Sequence, residues 1–341
     1  MDENFGLIRA QADLHQQYFI GLQLMVSTRE GPAAVREWMF HLFRRQHEEK
    51  FLSSFRKLGL DGLPDAVASA QYHVLSNTLG GVGVEFMAES DTKAWVRYRY
   101  PRWWLDGAAL CGVPVEAGDG FMRGWHANNG ASLGNPRLGF VCVSEDMTGE
   151  FGFCGYFKEF DHELSEVERL QFAKDERPPP FNPSAQPKPP AAEWDEARLA
   201  KAYRNYAVEF VRNSVTALTK TLGRVQAVER GVLAARVTGL QQYAHLAASV
   251  GAVDGGVHDA SRFLAAMFEG MGDEVETEHT EGRAVLRQSG LRIVRGMDGD
   301  ARDDLLRCWT AIWKGTVASH RAFIDVVVEE EGDTLVWNIS E

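Results

Sequence analysis

Cysteine is scarce: Cys111, Cys142, Cys154 and Cys308 are the 4 present in 341 residues, with no close pair and no His-Cys clustering. Such spacing suggests neither a disulfide framework nor a zinc site, so all four are expected to be reduced and mostly buried. No run of about 18 apolar residues occurs, and Met1-Asp2-Glu3-Asn4 opens acidic where a signal peptide would be basic and then apolar. No membrane partner is expected, and the expected location is the cytoplasm. Basic charge is also short, with 36 Lys and Arg against 48 Asp and Glu for a net charge of −12. That balance disfavours nucleic acid, because affinity for a polyanion comes largely from cations that neutralise phosphates, although local arginine clusters can still hold a small anion. Gly-x-Gly-x-x-Gly, P-loop, Gly-x-Ser-x-Gly and zinc-ligand spacings are all missing, which removes the usual support for nucleotide, flavin and serine-hydrolase chemistry. No metal and no cofactor is expected.

What the chain does contain is 45% hydrophobic and 25% charged residues, the composition of a globular protein long enough for two domains. It also contains a pattern written twice. Phe121-Met122-Arg123-Gly124-Trp125-His126-Ala127-Asn128-Asn129-Gly130 shares its Arg-x-Trp frame with Leu305-Leu306-Arg307-Cys308-Trp309-Thr310-Ala311-Ile312-Trp313-Lys314. A constant offset of 184 separates Arg123 from Arg307, Trp125 from Trp309 and Arg137 from Arg321. Upstream, Ala94-Trp95-Val96-Arg97 matches Ala284-Val285-Leu286-Arg287 at an offset of 190, so the first copy carries six extra residues before its helix.

Apolar periodicity predicts helices over 5–28, from Pro32 onward and over about 64–78, then strands over 83–89 and 93–100, a helix over about 120–133, and strands over 138–144 and 150–157. The second copy predicts helices over 195–221, 223–249 and 258–271, strands over 274–278 and 283–288, a helix, and strands over 321–328 and 334–339. The expected fold class is α+β. It consists of two tandem related modules, each with N-terminal helices followed by a β-β-α-β-β antiparallel unit, in a pseudo-two-fold arrangement. The expected domains are 1–159, a Pro-rich linker over 160–194, and 195–341 as a degenerate, structural copy. The linker reads either as a plain tether or as a proline segment draped over a site mouth.

Each copy resembles the family of L-2-amino-thiazoline-4-carboxylic acid hydrolase and related bacterial proteins. The resemblance rests on Val96-Arg97-Tyr98-Arg99-Tyr100-Pro101, the helix over 121–133, and the Gly149-Glu150 or Gly332-Asp333 turns. It implies tandem copies of a small-molecule hydrolase scaffold. Family members often carry a cysteine before that proline and paired cysteines near the end; here Tyr100 precedes Pro101 and no pair exists, so neither a thiol role nor the thiazoline substrate is carried over.

The two copies differ where chemistry is expected. The second helix presents Leu306, Trp309, Trp313 and Val317 as an apolar stripe; the first has Met122, Trp125, Asn129 and Leu133, with Asn128 alongside. A buried amide without partners costs about 1–3 kcal/mol. Asn128 and Asn129 therefore either bond local backbone, or lie on a rotated stripe, or line a polar pocket. His126 lies one helical turn from Arg123, which would place both on one side and push the imidazole toward neutrality as a base; otherwise it is a surface or capping residue. On strand 93–100, Tyr98 and Tyr100 share the face opposite Arg97 and Arg99, and as inward phenols they could donate protons or orient an oxyanion, or simply pack. The insertion brings Arg102, Trp103 and Trp104, and these tryptophans suit stacking on an aromatic substrate whose anion an arginine would bind. His41 and His47 are six apart and share no face, so they suggest a metal only if His73 or His126 converges on them.

The expected catalytic residues are His126, Tyr98 and Tyr100, with Arg97, Arg102, Trp103, Trp104, Arg123, Asn128 and Asn129 binding substrate. The expected function is cofactor-independent hydrolysis or lyase chemistry on a small aromatic or carboxylate-bearing compound. The alternative is a non-catalytic small-molecule binding or sensor protein. A homodimer is left open.

Overall fold

Gly31, at φ 88°, separates two long helices, α1 (Glu3–Glu30) and α2 (Pro32–Lys57), and Pro32 occupies the first helical turn, where its missing N–H costs nothing. In the computed structural model the described residues are 3–100, 102, 105–189, 195–250 and 255–341. The chain continues through α3 (Asp65–Leu79), β1 (Val84–Ser90), β2 (Lys93–Tyr98), α4 (Ala109–Gly112), α5 (Glu116–Gly124), α6 (Asn129–Leu133), β3 (Leu138–Ser144), β4 (Cys154–Glu159) and β5 (Leu170–Phe172). There follow α7 (Glu196–Leu222), α8 (Arg224–Ser249), α9 (Val257–Met271), β6 (Glu274–Thr280), β7 (Arg283–Ser289), α10 (Gly299–His320), β8 (Asp325–Glu331) and β9 (Thr334–Ser340). The protein is mixed α and β, with one sheet ordered β1-β2-β4-β3-β5 and another ordered β6-β7-β9-β8. Every pairing is antiparallel except that of β5 with β3. No described helix is long and apolar enough to cross a membrane. The four cysteines are free, three of them buried and Cys111 exposed.

The compact units do not follow the expected domain limits: one comprises Val26–Leu199, the other Met1–Met25 with Ala200–Glu341. The first 25 residues thus count with the C-terminal unit, where α1 supplies core. Phe19 packs on Phe210, the Tyr18 hydroxyl donates to the Gly231 carbonyl at 3.1 Å, and the Trp309 indole donates to His15 Nε2 at 3.0 Å. In that core Phe268 packs on Trp309, Trp313 and Trp337, and Trp309 packs on Trp313 and Trp337.

In the Val26–Leu199 unit, the described residues after β4 pack along the sheet. They add β5 to one edge of the sheet. They then cross the face away from α3, where Glu176 accepts from the Tyr156 hydroxyl at 2.8 Å and from Lys93 at 3.3 Å. At the far edge the Gln186 amide accepts from Phe86 N and donates to Phe86 O, both at 2.9 Å, doing for the edge strand β1 what another strand would do. Under this strap Met87, Trp95, Val141, Val143, Cys154 and Tyr156 form a second core. Trp95 and Arg97 lie on this side, whereas Val96 and Tyr98 face the helices.

The helix face is set by a close approach. A methyl group added at Gly120 would lie 2.8 Å from Met39 Cβ, and one at Gly124 would lie 2.9 Å from Arg44 N and from Phe43 Cβ. Only glycine at both positions lets α5 lie backbone to backbone on α2. Arg44 is thereby brought to the end of α5, where its guanidinium donates to the carbonyls of Arg123 (3.2 Å) and Gly124 (3.3 Å). In an unbroken α-helix those oxygens would accept from the amides four residues on. Here Asn128 N bonds Trp125 O instead, at 3.0 Å, and a 3₁₀ turn over His126–Asn128 intervenes before α6. The single helix expected over 120–133 is therefore broken, while α10 runs unbroken for 22 residues. Arg44→Met should leave the two carbonyls without partners and lower stability by about 1–3 kcal/mol. Arg45→Met, which loses an exposed ion pair with Glu49, should cost under about 1 kcal/mol. Urea unfolding of both variants checks this, and equal costs would remove Arg44 from the account.

Candidate functional site

The break turns His126, Asn128 and Asn129 into the interior together, and they meet two histidines from other elements. His47 lies on the buried side of α2, in the i, i+4 series Phe43, His47, Phe51, Phe55; His73 lies on the buried side of α3 with Ala66, Ser69 and Ala70. Tyr98, near the end of β2, completes the set and is 1% exposed, as is His126.

The contacts form one chain. Asn128 Nδ2 is 3.2 Å from His47 Nδ1, and His47 Nε2 is 3.2 Å from Asn129 Oδ1. Asn129 Nδ2 is 3.3 Å from His73 Nε2, and His73 Nδ1 is 2.9 Å from the Tyr98 hydroxyl, which is 3.2 Å from His126 Nε2. Burial, reinforced by the charge each histidine would place on the next, pulls His73 down to about 3 and His126 well below the usual histidine value. Burial also lowers His47, to about 4, against an opposing hydrogen bond from Asn129. All three imidazoles are therefore neutral at pH 7, each with one N–H and one lone pair.

Neutrality fixes the direction of the chain. The Asn128 amide donates to His47 Nδ1, so His47 carries its proton on Nε2 and donates it to Asn129 Oδ1. The Asn129 amide donates to His73 Nε2, so His73 donates from Nδ1 to Tyr98. Tyr98 then donates to His126 Nε2, which leaves the His126 proton on Nδ1. That buried nitrogen has no hydrogen-bond partner among the described residues. Five bonds are satisfied and the chain ends on an orphaned donor, at a cost of about 1–3 kcal/mol.

The rings around the chain are aromatic. His73 and His126 stack at 4.1 Å between centroids and 6° between planes, and Phe121, Phe140, Phe153 and Phe157 surround His126. Among the described residues no group of three His, Cys, Asp or Glu side chains could hold a metal ion.

Beside the chain lies the buried pair Arg102–Asp146 at 2.5 Å, with the guanidinium 4.7 Å from the centre of the Tyr98 ring. A small cleft adjoins it, with free space of about 10 Å³, room for a single water, lined by Leu105, Val113, Gly118, Met122, Asp146 and Phe153, among others. Phe153 lines this cleft and packs on both Tyr98 and His126, at 4.9 and 5.3 Å.

Of the residues singled out from sequence, the structure brings together His126, Tyr98, Asn128, Asn129 and Arg102. Tyr100 does not join them: it is 41% exposed and donates to the Asp146 carbonyl, and burial together with the Asp146 charge raises its phenol to about 12. Arg97 lies on the strap face of β2, bonded to Glu85 and the Phe151 carbonyl, because strand alternation turns it away from Tyr98. Arg123 does not share a side with His126, since the helix ends between them; it pairs with Asp119 at the surface. Trp103 and Trp104 lie outside the described residues. His47 and His73, which the sequence offers only as part of a conditional metal cluster, enter the site instead as links of the hydrogen-bond chain.

Because the folded unit refuses protons that the unfolded chain accepts below about pH 6.5, these histidines contribute stability that is complete above that pH. It is lost as the pH falls toward 4 and 3, by about 1.4 kcal/mol per histidine per pH unit. Urea unfolding between pH 7.5 and 5 should show this slope reduced by about one histidine's share in His73→Gln; an unchanged slope would mean that His73 is not buried neutral. No family model, curated protein or solved structure matches the chain, so the reading of the site rests on its own geometry.

Proposed function

We propose that the protein is an enzyme of hydrolase or lyase type that acts by acid/base chemistry on a small aromatic compound, which enters at the cleft beside Arg102 as that cleft widens past Phe153. His73, Tyr98 and His126 are the proton-moving segment. His47, Asn128 and Asn129 hold the tautomers, since an amide fixes direction but passes protons poorly. The observation that carries this reading is the orphaned N–H of His126. A neutral imidazole kept from charging is a hydrogen-bond donor toward an oxygen on which negative charge develops, and Tyr98 stands behind it to resupply the proton. Arg102 is already neutralised by Asp146, which favours an aromatic over a carboxylate-bearing substrate.

The same proposal makes the chain a duplicated scaffold with a pseudo-two-fold arrangement, similar to the L-2-amino-thiazoline-4-carboxylic acid hydrolase family in two tandem copies. The matching strand orders β1-β2-β4-β3 and β6-β7-β9-β8 support it. So do Ile312 and Trp313, buried 184 residues on from Asn128 and Asn129. In this reading the N-terminal copy keeps the chemistry, needs no cofactor and works in the cytoplasm. A second reading, a binding or sensor protein without turnover, is favoured by the near-complete burial of Tyr98 and His126.

Thermal-shift screening of small aromatic compounds, followed by turnover assays on those that bind, separates the two. Gly118→Leu places a side chain in the cleft where nothing lies within 4 Å, so it should abolish the ligand shift while the fold persists. Tyr98→Phe should keep the shift and lower kcat by about 10²–10⁴. Binding without turnover would select the sensor reading, and full turnover by Tyr98→Phe would end the relay's role.

A further inference from the structure

The C-terminal unit carries a second unsatisfied polar cluster, of opposite character. Gly272 ends α9 in the left-handed region at φ 80°, and a methyl group there would lie 2.5 Å from Arg204 Nη1 and 2.8 Å from Arg292 Nε. Two guanidiniums from distant parts of the chain therefore converge on one point, Arg204 from α7 and Arg292 from the short 3₁₀ turn Arg292–Val294 that follows β7. The turn is pinned in place: Arg212, two helical turns beyond Arg204, donates to the Arg295 carbonyl at 2.6 Å, and Arg292 N donates to Asp273 Oδ1 at 3.0 Å. Arg295 is close enough for its charge to act on both Arg204 and Arg292.

Counter-charge is short. Among the described residues the one carboxylate acting on Arg204 and Arg292 is Asp273, whose two oxygens are already engaged by Arg292 N and by the Gln288 amide at 2.8 Å. Nε of Arg204 and Nε of Arg292 are both buried without a hydrogen-bond partner among the described residues. Burial, followed by the neighbouring guanidiniums, pulls both side chains below the ordinary arginine value. Like charges held together with unspent donors cost stability unless an anion completes them.

We propose that Arg204 and Arg292, converging beside Gly272, form a binding site for a phosphate group. The two guanidiniums keep buried Nε donors without partners among the described residues while both oxygens of Asp273 are engaged elsewhere, and planar forks of donors suit the oxygens of a phosphate. The ligand is either free phosphate or the phosphate of a small monoester; the site is independent of the histidine relay.

The test is thermal unfolding and calorimetric titration of the full chain with inorganic phosphate and with glycerol phosphate, against sodium chloride at matched ionic strength. Phosphate should give a saturable rise in the unfolding temperature that chloride does not. Arg204→Gln and Arg292→Gln should each weaken binding at least tenfold, and without phosphate neither should be less stable than the wild type, because like-charge repulsion is relieved. Tighter binding of glycerol phosphate would assign the monoester, and equal or weaker binding would assign free phosphate. An equal effect of chloride, an undiminished phosphate response in the variants, or destabilisation of the variants in phosphate-free buffer would each overturn the site; the last would make the arginines structural caps of α9.

Discussion

The hydrogen bonds from Arg44 to the carbonyls of Arg123 and Gly124 decide where the polar core of this protein lies. They depend on glycine at 120 and 124, which brings α2 within reach, and they remove the acceptors that a continuing α-helix would need. The chain tightens into a 3₁₀ turn, and three polar side chains that a straight helix would spread around its circumference all turn inward. Everything distinctive about the site follows: the meeting with His47 and His73, the bond to Tyr98, and the unsatisfied nitrogen at the end of the chain.

Burying so many polar groups is tolerable because each bond answers another. Had the imidazoles charged, aromatic walls and neighbouring histidines would have made the cluster untenable; kept neutral, they offer one donor and one acceptor each and link in series. The C-terminal unit solves the same packing problem with Trp309, Trp313, Trp337 and Phe268. On the duplication reading, the contrast between an indole and an amide at the same station separates a core that only holds from one that has been kept polar at a cost.

The periodic features were legible in the sequence. Helix and strand positions followed from apolar spacing, and comparing the Arg-x-Trp segments pointed to His126, Asn128 and Asn129. Three things were not legible. The helix break depends on Arg44, about 80 residues away in sequence, and no local pattern announces it. Polar composition and prolines made the segment after β4 resemble a tether, yet its strand-like contacts come from one short run, Leu170–Phe172, and one side chain, Gln186. His47 and His73 looked like isolated histidines, because the residue that joins them, Asn129, belongs to a different element.

The central claim is a chain of neutral side chains with one direction, ending on His126. Long-range proton–nitrogen correlation spectra of ¹⁵N-histidine-labelled protein at pH 7 read each tautomer directly. The account predicts three neutral rings, with the proton on Nε2 of His47 and on Nδ1 of His73 and His126. A cationic ring among them, or a proton on Nε2 of His126, would contradict it.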